Sequence, residues 1–203
     1  MALHAFPIIL LAAGASSRMR GRDKLLEDIG GTSLLRHQAL KVRRATSGAV
    51  LVTLPTAPHP RYAALEGISV DLIAVPDAAE GINASLRRAF AALPEDAPCA
   101  MVMLADLPDL TENDLVSVLE AVDLSSDTLV WRGATETGKP GHPIVFDRAL
   151  FEEFAGLDGD TGGRDVVALA TGRTQIINLP DTHALNDLDT PEDWDAWWSS
   201  KNT

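Results

Sequence analysis

The amino-acid sequence predicts an α/β protein with three layers, α/β/α, around a mostly parallel sheet. Short apolar segments alternate with longer amphipathic ones through residues 8–131, and such nearly continuous apolar runs are typical of strands covered on both faces. The order strand–helix–strand–helix favours parallel strands joined by crossover helices. The expected strands are Ile8–Leu11, Ala49–Leu54, Val70–Val75, Cys99–Leu104 and Leu129–Trp131, and the expected helices are Ser33–Ala45, Pro60–Glu66, Asn83–Leu93 and Glu112–Val122.

Beyond residue 131 the alternation is weaker. A terminal helix is expected after Thr190 as N-cap, with Pro191 at its first position. Its tryptophans, at helical spacing, are expected to pack this helix onto the body of the protein. The other expected elements are a loop over Arg132–Gly141, a strand over Pro143–Phe146, a helix over Arg148–Ala155, a turn-rich segment over Asp158–Gly163, a helix over Asp165–Ala170 and a strand over Gln175–Leu179.

Composition excludes several classes of protein. The length of 203 residues and the hydrophobic content of 46% fit one domain over residues 1–203. A formal net charge of −12 argues against non-specific nucleic-acid binding, and the single cysteine, Cys99, excludes a disulfide framework. No apolar run is long enough to span a bilayer, and the apolar start lacks the basic region of a signal peptide. We therefore expect a cytoplasmic protein that binds neither nucleic acid nor membranes.

The first strand runs into a segment of small residues suited to binding phosphate. Ala12–Ser17 can turn sharply and present successive N–H groups to an anion. Four cations follow within seven residues: Arg18, Arg20, Arg22 and Lys24. The glycine spacings of the P-loop and of dinucleotide-binding folds are absent, which argues against a nicotinamide-dependent oxidoreductase. An ordinary strand–helix turn is the alternative, but the cation cluster in so acidic a chain favours a phosphate loop.

One carboxylate, Asp106, is expected at the same edge of the sheet, and two more stand together near the C-terminus. Asp106 follows the strand Cys99–Leu104, and Mg²⁺ prefers one or two carboxylates together with phosphate oxygens and water. Capping of the turn before Thr111 is an equally simple role for Asp106. Near the C-terminus, Asp187 and Asp189 alternate on an extended segment, so both side chains lie on one face.

These segments together resemble a known family. Leu11-Ala12-Ala13-Gly14-x-Ser16-x-Arg18-Met19…Lys24-Leu25-Leu26, Leu104-x-Asp106-x-Pro108 and Asp187-x-Asp189-Thr190-Pro191-Glu192-Asp193 are similar to signatures of the nucleotidyltransferases with the Rossmann-like nucleotide-diphospho-sugar transferase fold. The resemblance is greatest to the molybdenum cofactor cytidylyltransferases and guanylyltransferases, the MobA/MocA-like NTP transferases. The loop carries one residue more than the family pattern, because Arg20 precedes Gly21.

The resemblance implies a role for each matching residue. Lys24, Arg18 and Asp106 would be catalytic, and Asp106 and Asp189 would bind Mg²⁺, with Asp187 as the alternative second ligand. Gly81–Leu86 would lie against the nucleobase, although capping of a helix by Asn83 or Ser85 explains that segment equally well. The implied nucleotide-binding residues are Leu11, Ala12, Ala13, Gly14, Ser16, Arg18, Lys24, Gly81, Ala84, Ser85 and Leu86. The implied acceptor-binding residues are Gly141, His142, Pro143 and Asp160.

The implied reaction is transfer of CMP from CTP to a phosphorylated, molybdopterin-type acceptor, with release of pyrophosphate. CTP is expected because the guanylyl branch more often has Gly where this chain has Ala13, and because Gly81–Leu86 is similar to the cytidylyl branch. A molybdenum hydroxylase or its chaperone is the implied protein partner. The alternatives are a guanylyltransferase acting on molybdenum cofactor or another phosphorylated metabolite, and a non-catalytic chaperone that binds nucleotide or cofactor.

Overall fold

The structure is a computed structural model that describes residues 4–201. Its strands are β1 (Ile8–Leu11), β2 (Asp28–Ile29), β3 (Thr32–Ser33), β4 (Val50–Leu54), β5 (Asp71–Ala74), β6 (Cys99–Leu104), β7 (Val130–Ala134), β8 (Pro140–Asp147) and β9 (Thr174–Asn178). Its α-helices are α1 (Leu34–Ala45), α2 (Pro60–Ala64), α3 (Ile82–Ala91), α4 (Glu112–Glu120), α5 (Arg164–Leu169) and α6 (Pro191–Lys201). Short 3-10 helices cover Ser17–Met19, Lys24–Leu26, Ala78–Glu80 and Arg148–Gly156.

Seven strands form one sheet in the order β5-β4-β1-β6-β8-β7-β9, and β2 and β3 form a separate hairpin. β1 is parallel to β4 and β6, β4 is parallel to β5, and β7 is parallel to β9. Within the described residues, the two antiparallel pairings of this sheet are those that β8 makes with β6 and with β7. The predicted α/β class with a mostly parallel sheet is therefore confirmed.

The sheet is buried on both faces. In β1, Ile8 and Leu10 belong to one core cluster, whereas Ile9 and Leu11 belong to the other. The first cluster contains apolar side chains of α1, α4 and α6, and the second contains those of α3, α5 and the 3-10 helix Arg148–Gly156. This division produces the three layers, and it explains why the strands are apolar at consecutive positions.

Most predicted elements are present within two residues of the expected limits. Thr111 caps α4 in a capping box with Asp114, and α6 begins at Pro191 after Thr190, whose Oγ1 accepts a hydrogen bond of 3.2 Å from Asp193 N. Trp194 and Trp197 are buried against the core, as predicted, whereas Trp198 is 37% exposed and does not belong to it. The helix expected over Arg148–Ala155 is a 3-10 helix rather than an α-helix.

The prediction of a loop over Arg132–Gly141 is wrong. β7 continues to Ala134 and β8 begins at Pro140, so the two strands form a hairpin around residues 135–139. Glycine allows this close pairing: a Cβ on Gly133 would lie 2.6 Å from His142 O, and one on Gly141 would meet the backbone of Ala184. Gly133 therefore marks close backbone approach within the sheet, and Gly141 marks the close approach of the segment that contains Ala184.

This topology gathers the candidate residues at one edge. β1 and β6 are adjacent and parallel, so the segments that follow their carboxyl ends lie side by side. The C-terminal segment joins them, because Leu188 N donates a hydrogen bond of 3.1 Å to Asp106 O. Among the described residues, 4–201, no helix is both long and apolar enough to cross a membrane.

Candidate active site

The segment after β1 forms the wall of a cleft of about 370 Å³. The segment is fixed at its start, because Ala12 N donates to both the backbone oxygen and Oγ1 of Thr53, each at 3.1 Å. Ser16 has a positive φ of 51°, a backbone conformation that turns the chain back toward Lys24. The cleft is lined by loop residues and by residues of β6, α3 and the 158–163 segment, among them Leu11, Ala12, Ala13, Gly14, Lys24, Gly81, Ser85, Asp106 and Asp160.

Lys24 lies between two carboxylates at the mouth of this cleft. Its Nζ is 2.5 Å from Asp106 Oδ2 and 2.7 Å from Asp189 Oδ1. Arg18 approaches the other oxygen of Asp189, with 2.6 Å between Arg18 Nη2 and Asp189 Oδ2. Burial would lower the pKa of Lys24, but Asp106 and Asp189 raise it above its ordinary value. The ammonium group therefore stays charged at neutral pH.

Asp106 and Asp189 have the chemistry of a magnesium site. Asp106 Oδ1 is buried and has no hydrogen-bond partner among the described residues, which leaves one oxygen available to a cation. In the described part of the chain no three His, Cys, Asp or Glu residues are grouped so as to hold a metal. Two carboxylates that are completed by phosphate and water are nevertheless what Mg²⁺ prefers, so the residues fit this ion.

The choice between Asp187 and Asp189 has an electrostatic basis. Burial would raise the pKa of Asp189, but the hydrogen bond and charge of Lys24, with Arg18, lower it. Burial and the neighbouring Asp189 raise the pKa of Asp187. Asp189 is therefore the more readily ionised carboxylate and contacts both cations, whereas Asp187 contacts the Asp189 carboxyl group.

The other two cations of the loop turn away from these carboxylates. Arg20 Nη2 lies 2.5 Å from Glu192 Oε1, and Arg22 Nη1 lies 3.2 Å from Glu27 Oε2. Both arginines are at least half exposed. Of the four cations in the sequence cluster, the structure thus brings only Arg18 and Lys24 to Asp106 and Asp189, although Arg22 borders a neighbouring cavity.

A partly buried ion pair that the sequence does not reveal supports the segment after β1. Arg61, 2% exposed, contacts Asp23 through two nitrogens at 2.7 and 2.8 Å and donates to Ala12 O at 2.6 Å. Ser16 Oγ accepts hydrogen bonds from Lys24 N and Arg61 and donates one to Asp23. Burial would raise the pKa of Asp23, but Arg61 lowers it below its ordinary value. The hydroxyl of Ser16, expected at the nucleotide, therefore organises the loop itself.

The start of α3 is capped by a residue far away in sequence. Asp160 Oδ1 accepts a hydrogen bond of 2.9 Å from Ile82 N, and a Cβ on Gly81 would lie 2.5 Å from the same oxygen. Asp160, predicted to contact the acceptor, thus caps α3. The alternative of N-capping by Asn83 or Ser85 is wrong, because neither side chain caps the helix. Ser85 lines the cleft.

Two predicted nucleotide contacts need correction. Ala84 is fully buried in a small cluster with Ala13, and Leu86 belongs to the core between α3 and the sheet. The helical turn directs these two side chains inward while Ser85 faces the cleft. Neither Ala84 nor Leu86 offers a side-chain surface to a ligand.

The predicted acceptor residues of β8 are mostly packed into the fold. Gly141 is buried against Ala184, and Pro143 is buried in the strand. Neither offers the acceptor a surface, so their predicted role as acceptor contacts needs correction. His142 keeps some exposed surface, while its Nδ1 is buried without a partner among the described residues. Burial and the nearby Arg132 lower the pKa of His142 to about 4. Its imidazole is therefore neutral at physiological pH.

Known proteins match this arrangement along most of the chain. The family model for the MobA-like NTP transferase domain matches residues 8–176. The Purine catabolism protein PucB of Bacillus subtilis is 28% identical over 92% of this chain and 93% of its own length. The Probable molybdenum cofactor guanylyltransferase of Natronomonas pharaonis is 27% identical over 91% of this chain and 93% of its own length. The crystal structure of Rv0371c from Mycobacterium tuberculosis superposes with a TM-score of 0.82 at 28% identity, covering 97% of this chain and 98% of that one. The chain is therefore a nucleotidyltransferase of the MobA-like NTP transferase family.

Proposed function

We propose that the protein transfers a nucleoside monophosphate from CTP to a phosphorylated acceptor of the molybdenum cofactor type and releases pyrophosphate. The observation that carries this proposal is the convergence of Lys24, Arg18, Asp106 and Asp189 at the carboxyl edge of β1 and β6. Two cations and two carboxylates grouped at the mouth of a cleft match the needs of a metal-bound triphosphate. An acceptor phosphate is already ionised at neutral pH, so no general base is needed, and the neutral His142 is consistent with that.

Each residue has a separate task in this proposal. Arg18 and Lys24 bind phosphate oxygens and stabilise the charge that develops on the transferred phosphoryl group and on pyrophosphate. Asp106 and Asp189 would hold Mg²⁺, which neutralises phosphate charge and orients the α-phosphate. The backbone of the segment after β1, made rigid by Arg61 and Asp23, presents N–H groups to the nucleotide. Positioning and electrostatics together supply most of the rate in such transfers.

GTP is the second candidate nucleotide. Ala13 and the segment Gly81–Leu86 favour CTP, whereas the relatives from Natronomonas pharaonis and Rhodopseudomonas palustris are both named molybdenum cofactor guanylyltransferases. The name of PucB refers to purine catabolism, which does not specify an acceptor. A molybdenum hydroxylase or its chaperone remains the proposed recipient of the product.

The decisive experiment measures pyrophosphate release from ATP, GTP, CTP and UTP in turn, with Mg²⁺ and molybdopterin. Release with CTP and not GTP supports the proposal, and the reverse preference replaces CTP with GTP. Binding of a nucleotide without release from any of the four would contradict a transferase and support the non-catalytic chaperone. Omission of Mg²⁺ is expected to abolish release.

Two arginines of the same loop provide a matched test of the site. Arg18→Ala is expected to lower kcat/KM by about 100-fold, since loss of a phosphate-stabilising donor costs about 2.7–4 kcal/mol in comparable sites. Arg20→Ala removes the same charge from the same loop, but Arg20 pairs with the exposed Glu192 rather than with Asp106 or Asp189. It is expected to leave turnover within about twofold of wild type, because an exposed ion pair contributes little. Equal effects of the two substitutions would show that the loop acts only through its net charge.

A further inference from the structure

The two metal carboxylates come from chain segments far apart in sequence, and Asp109 joins these segments. Asp109 lies three residues after Asp106, and its side chain is only 10% exposed. Its Oδ1 accepts hydrogen bonds from Trp197 Nε1 and Lys201 Nζ, both at 2.8 Å, and its Oδ2 accepts one from Asn186 Nδ2. All three donors belong to the C-terminal segment that carries Asp189.

The contacts form a regular pattern between the two segments. Asp106 O is bonded to Leu188 N, and Asp109 is bonded to Asn186, so the segments run antiparallel past each other with Asp189 next to Asp106. The segment 106–110 is also held on its other side by α1. There, Gln38 Nε2 donates to Leu107 O at 2.6 Å, and Lys41 Nζ donates to Pro108 O at 3.2 Å.

A carboxylate at position 109 loses hydration free energy because its side chain is buried. A buried charge must recover its lost hydration through hydrogen bonds, and an apolar residue of similar size would pack at least as well. Burial would raise the pKa of Asp109, but Lys201, Trp197 and Asn186 lower it below its ordinary value, so the group is ionised. What the charge adds over an apolar side chain is directional hydrogen bonding, which fixes one geometry between the segments.

We propose that Asp109 is a positioning residue that sets the separation of Asp106 and Asp189 by anchoring the C-terminal segment. This inference rests on the proposed function of those two carboxylates as the metal site. Partners that orient metal ligands without touching the ion typically change metal affinity by about 10–100-fold when they are replaced.

The test compares Mn²⁺ affinity, kcat and KM in Asp109→Ala, Asp109→Asn and Trp197→Phe. Mn²⁺ binding is measured by electron paramagnetic resonance with the α,β-methylene analogues of CTP and GTP. Asp109→Ala is expected to weaken Mn²⁺ binding by about 10-fold or more and to lower kcat. The KM for nucleotide is expected to change little, because Lys24 and the segment after β1 are untouched. Asp109→Asn and Trp197→Phe are expected to give intermediate losses, since each keeps part of the hydrogen bonding.

Val50→Ala is the control for a purely structural effect. Val50 is buried at the amino end of β4, the edge opposite the site, so its truncation lowers Tm without affecting either carboxylate. If Asp109→Ala lowers Tm as Val50→Ala does while Mn²⁺ affinity and kcat match those of wild type, the proposal is overturned. If Asp109→Ala does not fold, wild-type Mn²⁺ affinity in both milder variants overturns it. Failure of the wild-type protein to release pyrophosphate would refute the proposed function, whereas the Mn²⁺ affinities would still decide the role of Asp109.

Discussion

Replacing Lys24 with methionine should strengthen divalent metal binding in the absence of nucleotide. The ammonium group lies 2.5 Å from Asp106 Oδ2 and 2.7 Å from Asp189 Oδ1, where it neutralises the two carboxylates proposed to hold the metal. A metal ion that binds without nucleotide must displace this cation and leave it without a partner. Methionine keeps the unbranched apolar chain but removes the charge, so the competition ends.

The burial of the pair sets the expected magnitude. The side chains of Lys24, Asp106 and Asp189 are 12%, 16% and 15% exposed. An exposed ion pair contributes about 0–1 kcal/mol of free energy. Breaking a fully buried pair costs roughly 3–5 kcal/mol, and pairs with this partial burial should lie between the two values. An intermediate value of about 1.5–3 kcal/mol corresponds to an increase in Mn²⁺ affinity of about 10–150-fold.

Isothermal titration calorimetry with Mn²⁺ and nucleotide-free protein measures this change directly. Arg22→Met is the matched control, because it removes one positive charge from the same loop at a half-exposed side chain paired with Glu27. Its Mn²⁺ affinity should remain within about threefold of wild type, since exposed charges are well screened. The reasoning fails if Lys24→Met binds Mn²⁺ no more tightly than wild type, or if Arg22→Met gains as much.

Three further changes test the surroundings of the site. Arg61→Met should reduce the free energy of unfolding in urea by about 1.5–3 kcal/mol, less than for a fully buried pair because Asp23 is 20% exposed, and Asp23→Asn added to it should restore part of the loss; a fully additive double variant would contradict the ion pair. Lys41 has a pKa lowered to about 8, chiefly by burial, against 10.5 for an unperturbed lysine. The unfolded chain therefore binds more protons between these values, so stability should rise from pH 8 to 10.5 by up to about 3 kcal/mol; an identical pH profile for Lys41→Met would refute this. Gly81→Ala, at φ +110° and against Asp160, should raise the KM for nucleotide and lower Tm, whereas unchanged values would show that the 158–163 segment can move aside.

The parts of the fold that the sequence predicts well are those in which one local signal determines the structure. β1 and β6 have the expected limits, because every residue of these strands is apolar or small and both sheet faces are covered. The hairpin of β7 and β8 is missed for the opposite reason. Gly133 and Gly141 are required by close backbone contacts, and the same residues in a sequence indicate a loop.

The site divides in the same way. Lys24 and Asp106 lie in the segments that follow the adjacent parallel strands β1 and β6, so their convergence follows from the topology of a parallel sheet. Asp189 follows no strand of that sheet, and only the resemblance of residues 187–193 to the family's C-terminal segment implies that it joins them. The pairs that support the site cannot be predicted in this way, because their members are far apart in sequence. Arg61 is 38 residues from Asp23, and Trp197 is 88 residues from Asp109. No periodicity or spacing in one sequence connects such partners. A buried arginine near the start of a short helix gives no local signal of the carboxylate that it needs.

With Asp106 and Asp189 as the proposed metal ligands, we expect nucleotide and metal to bind together rather than separately. A triphosphate alone meets the carboxylates Asp106 and Asp189, and a metal ion alone meets the cations Lys24 and Arg18. When nucleotide and metal are both present, Lys24 and Arg18 can pair with the phosphates while Asp106 and Asp189 bind the metal. No charge is then left unpaired. The coupling must be reciprocal, because metal raises nucleotide affinity by the same factor by which nucleotide raises metal affinity. We therefore expect that factor to fall in Lys24→Met, whose carboxylates are free for the metal before nucleotide arrives.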